Sequence, residues 1–192
     1  MRNRPQSSWR HVAAAAVLAG LSIASGAIGA QAPVVRTGDP AKRGLTAKDF
    51  PRVQQLAPDV YSYEQLRSAG TETFTTVSLF VVTPAGVLVA DGQGNLEETQ
   101  RLVQTIAGIT PQPIRHVVVC SDHGDHTAGN AAFPSTATVY AHPTSRGVMA
   151  AAFARSEGRG GSTPPAPVPT VDVTDKTVLT LGGTEIQLLF LG

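Results

Sequence analysis

Cysteine is nearly absent from this 192-residue sequence, and long apolar runs are almost as scarce. The single cysteine, Cys120, excludes a disulfide within the chain. Only one apolar run, from Val12 to Ile28, approaches the length of a membrane span, and no second one is long enough to cross a bilayer. With 42% hydrophobic residues, the length suits one globular domain.

The first 30 residues have the order of a secretory signal peptide. Three arginines precede the apolar run, and small residues follow it up to Ala30. We expect cleavage after Ala30 and a periplasmic or extracellular protein. A membrane anchor is the alternative, but a Gly- and Ala-rich run of about 17 residues is short and weakly apolar for a span. We therefore expect no stable membrane insertion after cleavage.

Cleavage also changes the charge of the chain. It removes three arginines and no acid, so Lys and Arg fall from 15 to 12 against 14 Asp and Glu, which leaves a net charge near −2 instead of +1. The apparent basicity thus belongs to the signal peptide, and nucleic acid is not an expected partner.

The region after the signal divides into a leader and a domain. Residues 31–47 are polar and interrupted by Pro and Gly, which predicts a flexible leader, and the domain is expected over residues 48–192. Apolar runs predict three early strands, Val60 to Gln65, Phe74 to Thr83 and Val87 to Ala90. The last two are joined as a hairpin through Pro84-Ala85-Gly86.

A strand, a helix and a second strand follow one another in the middle of the chain. Asn95 is a predicted helix N-cap with Glu98 as its capping-box partner, and the helix runs to about Ile106. The apolar strand from His116 to Cys120 comes next. This order predicts a right-handed crossover between parallel strands. Ligand sites in such sheets lie at the carboxyl ends of the strands, where Asp91 and the loop after Cys120 are placed.

The remainder of the chain predicts one more strand, a helix and a second hairpin. The strand runs from Ala137 to Ala141 and ends at His142, and Pro143 suits the first turn of a helix through about Arg155. Gly158 to Pro169 is expected to be a mobile loop. A hairpin of residues 178–181 and 184–191 turns at Gly182-Gly183.

The loop after Cys120 has the residue types of a metal site. Two imidazoles and two carboxylates lie within five residues, and a divalent cation would compensate their charges and unpaired donors. Gly124 would let the backbone turn so that His123, Asp125 and His126 converge, while Asp122 is assigned to the surface. Nitrogen and oxygen ligands suit Zn²⁺, Fe or Mn rather than Ca²⁺. Such an ion lowers the pKa of bound water towards about 7, and Asp125 could both bind it and orient the hydroxide. The alternative is a solvated polar loop.

The loop Cys120–Asn130 resembles the His-x-His-x-Asp-His signature of the metallo-β-lactamase superfamily. Leu88-Val89-Ala90-Asp91-Gly92 is similar to that family's strand ending in a structural aspartate, and Tyr140-Ala141-His142 to its following strand. The resemblance covers roughly residues 58–192. It implies an α/β fold, the αβ/βα sandwich with a mixed sheet and flanking helices, represented mostly by its first half. It also implies one or two metal ions and hydrolysis, with His123 in the first metal site and Asp125 and His126 in the second.

This sequence departs from the family pattern in two places. Ser121 stands at the family's first histidine, and a serine hydroxyl is a poor zinc ligand. Cys120 is a better ligand chemically, but strand alternation turns it to the other face, where a buried thiol is expected. The chain reaches Gly192 where the family places its third metal histidine, so we expect a truncated carboxyl end and one or two protein ligands per metal. Ser121, Asp91 and His142 remain candidates for lining the site.

Three functions follow from the resemblance. The first is an exported metal-dependent hydrolase that uses metal-bound hydroxide on an ester, thioester or amide-type bond of a small-molecule substrate. The second is a truncated or degenerate member that is not catalytic and binds metal weakly or not at all. The third, a thiol-linked redox or thioesterase member, cannot be separated from the first by sequence.

Overall fold

The computed structural model describes residues 37–157 and 168–192. The predicted signal peptide and almost all of the predicted loop between Gly158 and Pro169 lie outside these residues. None of the helices in the described part is long and apolar enough to cross a membrane.

A mixed sheet of seven strands forms the centre of the described chain, and the strands lie side by side in the order of the sequence. The first four are antiparallel to their neighbours, and the fourth to the seventh are parallel. The predicted mixed sheet is thereby confirmed. Its strands are β1 Arg52–Ala57, β2 Val60–Ala69, β3 Glu72–Thr83, β4 Gly86–Ala90, β5 Ile114–Val118, β6 Thr138–Ala141 and β7 Val171–Asp172.

Helix α1, Leu96–Ile109, covers one face of this sheet. The side chain of Asn95 accepts a hydrogen bond of 2.9 Å from the backbone N–H of Glu98, so the predicted N-cap is confirmed. The carboxylate of Glu98 pairs with Arg67 of β2 at 2.6 Å instead of closing a capping box. Leu102 and Ile106 are buried against the valines of β4 and β5. These two strands run parallel, as predicted.

Alternation along β5 separates two apolar cores. Val117 faces the helical side, where Val119, just past the end of β5, and Met149 of helix α3, Pro143–Glu157, also pack. Val118 faces the other side and contributes to a cluster with Leu88 and Leu188. That second cluster is closed by the predicted hairpin, β8 Lys176–Leu181 and β9 Thr184–Leu189. The sheet therefore lies between helices and a hairpin.

The structure differs from the prediction at the amino end of the domain. Residues 37–47, predicted as part of a flexible leader, include a 3-10 turn at Ala41–Arg43. The guanidinium of Arg43 forms two hydrogen bonds with the carboxylate of Glu64, a buried residue of β2. Strand β1 was not predicted, because most of its residues are exposed and show no apolar alternation.

Candidate functional site

The candidate site lies at the carboxyl edge of the parallel strands. Asp91 follows β4 directly, and the loop of residues 119–123 follows β5 and leads into a single helical turn, α2 Gly124–Thr127. Because β4 and β5 are parallel neighbours, both segments meet at one edge, as the sequence predicted.

Asp91 ties the site loop to the sheet. Its carboxylate is buried, and Oδ1 accepts hydrogen bonds from the backbone N–H groups of Cys120 at 2.7 Å and Ser121 at 3.3 Å. Its backbone has φ +61°, a left-handed conformation that Asp and Asn adopt more readily than most residues. Asp91 was predicted to line the site, and the structure adds that it holds the loop backbone.

The second oxygen of Asp91 orients His126. Oδ2 lies 3.1 Å from His126 Nδ1, while Nε2 on the far side of the ring lies 3.5 Å from Asp125 Oδ2. The hydrogen bond to Asp91 raises the pKa of His126, and this outweighs the opposite effect of partial burial. A carboxylate on one ring nitrogen with the other nitrogen turned outwards is the arrangement that commonly supports a metal-ligating histidine.

Asp125 is held from the opposite side by Thr76, a residue that the sequence reasoning missed. The hydroxyl of Thr76 donates to Asp125 Oδ2 at 3.1 Å, and the Thr76 side chain is almost completely buried on β3. The one feature of the sequence that could have pointed to Thr76 as a site residue is its polar side chain on the buried face of a strand. Its partner lies 49 residues away, and no local pattern reveals such a contact.

The Gly129-Asn130 pair after the loop is explained by close backbone packing against α1. A Cβ atom at Gly129 would overlap the carbonyl oxygen of Asn95 and the hydroxyl of Thr99. The backbone N–H of Gly129 donates to the carbonyl of Gln93 at 2.9 Å. The loop is thus fixed to the first turn of α1 as well as to Asp91.

The other predicted site residues lie further from this group. The side chain of His123 is exposed, and its backbone N–H donates to Ser121 Oγ at 3.4 Å. Cys120 is exposed, so the expectation of a buried core thiol was wrong; β5 ends at Val118, and strand alternation no longer applies beyond it. His142 stacks on Phe190 with ring centroids 3.9 Å apart, which attaches the end of β9 to the end of β6.

A cavity of about 420 Å³ lies at the opposite, amino end of the parallel strands, away from this loop. Its lining includes Arg115 and His116 of β5, and His116 Nδ1 lies 3.1 Å from the hydroxyl of Tyr140. His116 therefore belongs to a different part of the molecule from His126.

The residues of the loop supply part of a metal site. Two zinc ligands at a tetrahedral angle with bonds of about 2.05 Å lie about 3.4 Å apart, and the 3.5 Å between Asp125 Oδ2 and His126 Nε2 matches that spacing. Within residues 37–157 and 168–192, however, no three His, Cys, Asp or Glu side chains form a group that could hold a metal. The pair fits a metal, but these residues alone do not complete its coordination.

Comparison with known proteins identifies the fold. No protein-family model and no curated protein matches the sequence. Solved structures do match: a metallo-β-lactamase from Pontibacter korlensis has a TM-score of 0.57 at 18% identity and covers 72% of this chain and 60% of its own. Another metallo-β-lactamase, from Erythrobacter litoralis with β-mercaptoethanol in its active site, has a TM-score of 0.51 at 24% identity. The match covers 64% of this chain and 50% of that structure's chain. A third, from Hirschia baltica, has a TM-score of 0.52 at 15% identity, and the match covers 70% of this chain and 58% of that structure's chain.

These likenesses confirm the predicted fold. The chain has the metallo-β-lactamase fold, an α/β architecture with a mixed sheet and flanking helices. It spans between half and three fifths of the length of these three solved structures.

Proposed function

We propose that this protein is an exported, metal-dependent hydrolase of the metallo-β-lactamase superfamily that acts on an ester, thioester or amide-type bond of a small molecule. The observation that carries the proposal is the row Asp91–His126–Asp125 at the carboxyl edge of the sheet. There one carboxylate orients the imidazole, and a second faces its outer nitrogen at 3.5 Å. The likeness to solved metallo-β-lactamases supports it.

Each residue of the loop has a defined role in this proposal. His126 and Asp125 hold the metal, whereas the exposed His123 of the same loop is not grouped with them in the described residues. Asp91 holds His126 in one tautomer and anchors the loop backbone. When bound, the ion, which we propose to be Zn²⁺ with Fe or Mn as alternatives, supplies the activation of water near neutral pH. Asp125 contributes a ligand oxygen and orients the attacking water.

A second candidate function is a non-catalytic member that binds metal weakly or not at all. One observation favours it for the chain as described: the described residues bring two donors together instead of three. The family resemblance points the same way, because it implies that Ser121 stands where a histidine ligand is expected. Both candidates predict that the 192-residue chain binds less than one tightly held zinc, and they differ in whether bound zinc supports hydrolysis.

Zinc titration monitored by calorimetry, combined with a hydrolysis assay, distinguishes the two candidates. For the hydrolase we expect weak binding of one zinc that is lost in His126→Ala, because that variant removes Nε2. His116→Ala is the matched control, since it deletes a histidine at the opposite end of the sheet. Hydrolysis of chromogenic ester, thioester and amide substrates with added zinc then tests the chemistry. Identical titrations for the wild type and His126→Ala would favour the non-catalytic alternative.

Export is proposed from the order of basic, apolar and small residues in positions 1–30. Amino-terminal sequencing of the protein recovered from a secreting bacterial host tests it. We expect a mature terminus at or near Gln31. Recovery of uncleaved chain in the membrane fraction would instead indicate an anchor.

A further inference from the structure

Thr76 makes an unusual contact for a buried hydroxyl. It lies on the helical side of β3, and its side chain is about 1% exposed. Buried threonines commonly satisfy their hydroxyl through nearby backbone, and Thr83 on the same strand does so by donating to the Gly86 carbonyl at 2.7 Å. The hydroxyl of Thr76 instead donates to Asp125 Oδ2, across 49 residues of sequence.

The acceptor of this hydrogen bond is the oxygen that faces His126. Asp125 Oδ2 lies 3.1 Å from the Thr76 hydroxyl and 3.5 Å from His126 Nε2. A carboxylate oxygen has two lone pairs, so one can accept from Thr76 while the other remains for a cation. The hydrogen bond therefore selects which oxygen of Asp125 is presented and in which orientation.

The site is thus supported from both ends by buried side chains. Asp91, directly after β4, fixes His126, and Thr76 of β3 fixes Asp125, so the outer nitrogen and Oδ2 are held close together from both sides. Partners of this kind orient metal ligands, and their loss commonly reduces metal affinity by about 10- to 100-fold.

We propose that Thr76 is a positioning residue of the metal site, whose hydroxyl holds the Asp125 carboxylate in register with His126. The inference rests on the proposed function, because it concerns the same site. Thr76 does not touch the reacting atoms. It acts through Asp125, and its contribution appears first in metal affinity and only then in turnover.

The test compares three variants of the full chain in zinc titrations. Thr76→Val removes the hydroxyl but keeps the shape, and we expect zinc affinity to fall by about tenfold or more. Thr76→Ser keeps a hydroxyl at this position, and we expect affinity within about threefold of the wild type. Thr83→Val is the matched control, since it makes the same change at a buried position of the same strand and also loses a hydrogen bond. We expect it to bind zinc like the wild type.

A second readout separates positioning from a general loss of stability. Thermal unfolding is measured with and without zinc, and the zinc-induced rise in Tm is compared among the variants. Both valine variants are expected to have a lower Tm without zinc, but only Thr76→Val should lose most of the zinc-induced rise.

The possible results distinguish this inference from the proposed function. A wild type that shows no zinc binding would refute the proposed function and the inference with it. A wild type that binds zinc and a Thr76→Val variant that binds equally well would overturn the inference alone. Equal losses of affinity in Thr76→Val and Thr83→Val would also overturn it, because the effect would then come from lost stability.

Discussion

Replacing Asp91 should destabilise the protein even in the absence of metal. The carboxylate is buried and accepts hydrogen bonds from the backbone N–H groups of Cys120 and Ser121 while its other oxygen contacts His126. A hydrogen bond to a charged acceptor contributes about 1.5–3 kcal/mol. The left-handed backbone of Asp91 adds about 1 kcal/mol of strain for alanine.

We therefore expect Asp91→Ala to lower the free energy of unfolding by about 4–5.5 kcal/mol, with the longer bond to Ser121 kept at the low end of its range. Asp91→Asn should cost less, about 1–2 kcal/mol, because the amide oxygen still accepts from the loop backbone and Asn tolerates the left-handed conformation. The charge that orients His126 is nevertheless lost in both variants.

Urea unfolding followed by circular dichroism at pH 7 in the presence of a chelator measures these differences. The control is Asp172→Ala, which breaks an ion pair with Arg146 in which both side chains are more than a third exposed. Such exposed pairs contribute about 0–1 kcal/mol. If Asp91→Ala costs no more than Asp172→Ala, the Asp91 carboxylate does not anchor the loop to the sheet.

Two further predictions concern the edges of this framework. Hydrogen bonding to Arg43 lowers the pKa of Glu64 despite its burial, so its contribution to stability is present above the ordinary carboxyl pKa and is lost as the pH falls through the lowered one. The difference in unfolding free energy between the wild type and Glu64→Gln should therefore shrink as the pH falls below the ordinary carboxyl pKa, and a constant difference would contradict the assignment. Gly129→Ala should destabilise by about 2 kcal/mol or more, because the new Cβ overlaps the Asn95 carbonyl. Gly108→Ala in the exposed part of α1 is the control, because a Cβ there would meet no atom within 4 Å apart from its own helix and chain neighbours, and it should be neutral or stabilising in the same urea assay.

Local patterns were sufficient to predict the centre of the fold. The N-cap at Asn95, the parallel crossover and the separation of Val117 from Val118 by strand alternation all follow from spacing along a few consecutive residues. The position of Asp91 at the same edge as the loop follows from the parallel arrangement. The fold prediction also drew on the resemblance of the loop and its neighbouring strands to a known family.

Contacts between distant segments were not predictable in the same way. Thr76 resembles any other polar residue in a strand until the fold places Asp125 beside it. Strand β1 has mostly exposed side chains, so its sequence carries no apolar alternation, and its place in the sheet is set by pairing with β2. Arg43 lies in a segment whose Pro and Gly content indicated flexibility, and its hydrogen bonds to the distant, buried Glu64 help to hold it in place.

The sequence separation of the site contacts has a consequence for how the protein folds. The hydrogen bonds that assemble the site join residues 29, 35 and 49 positions apart, so each closes a long loop of chain. Non-local contacts of this kind form slowly, because their chain entropy is lost before they contribute to stability. The proposed ability to bind a cation should therefore appear late in refolding, after α1 and the β2–β3 hairpin have formed.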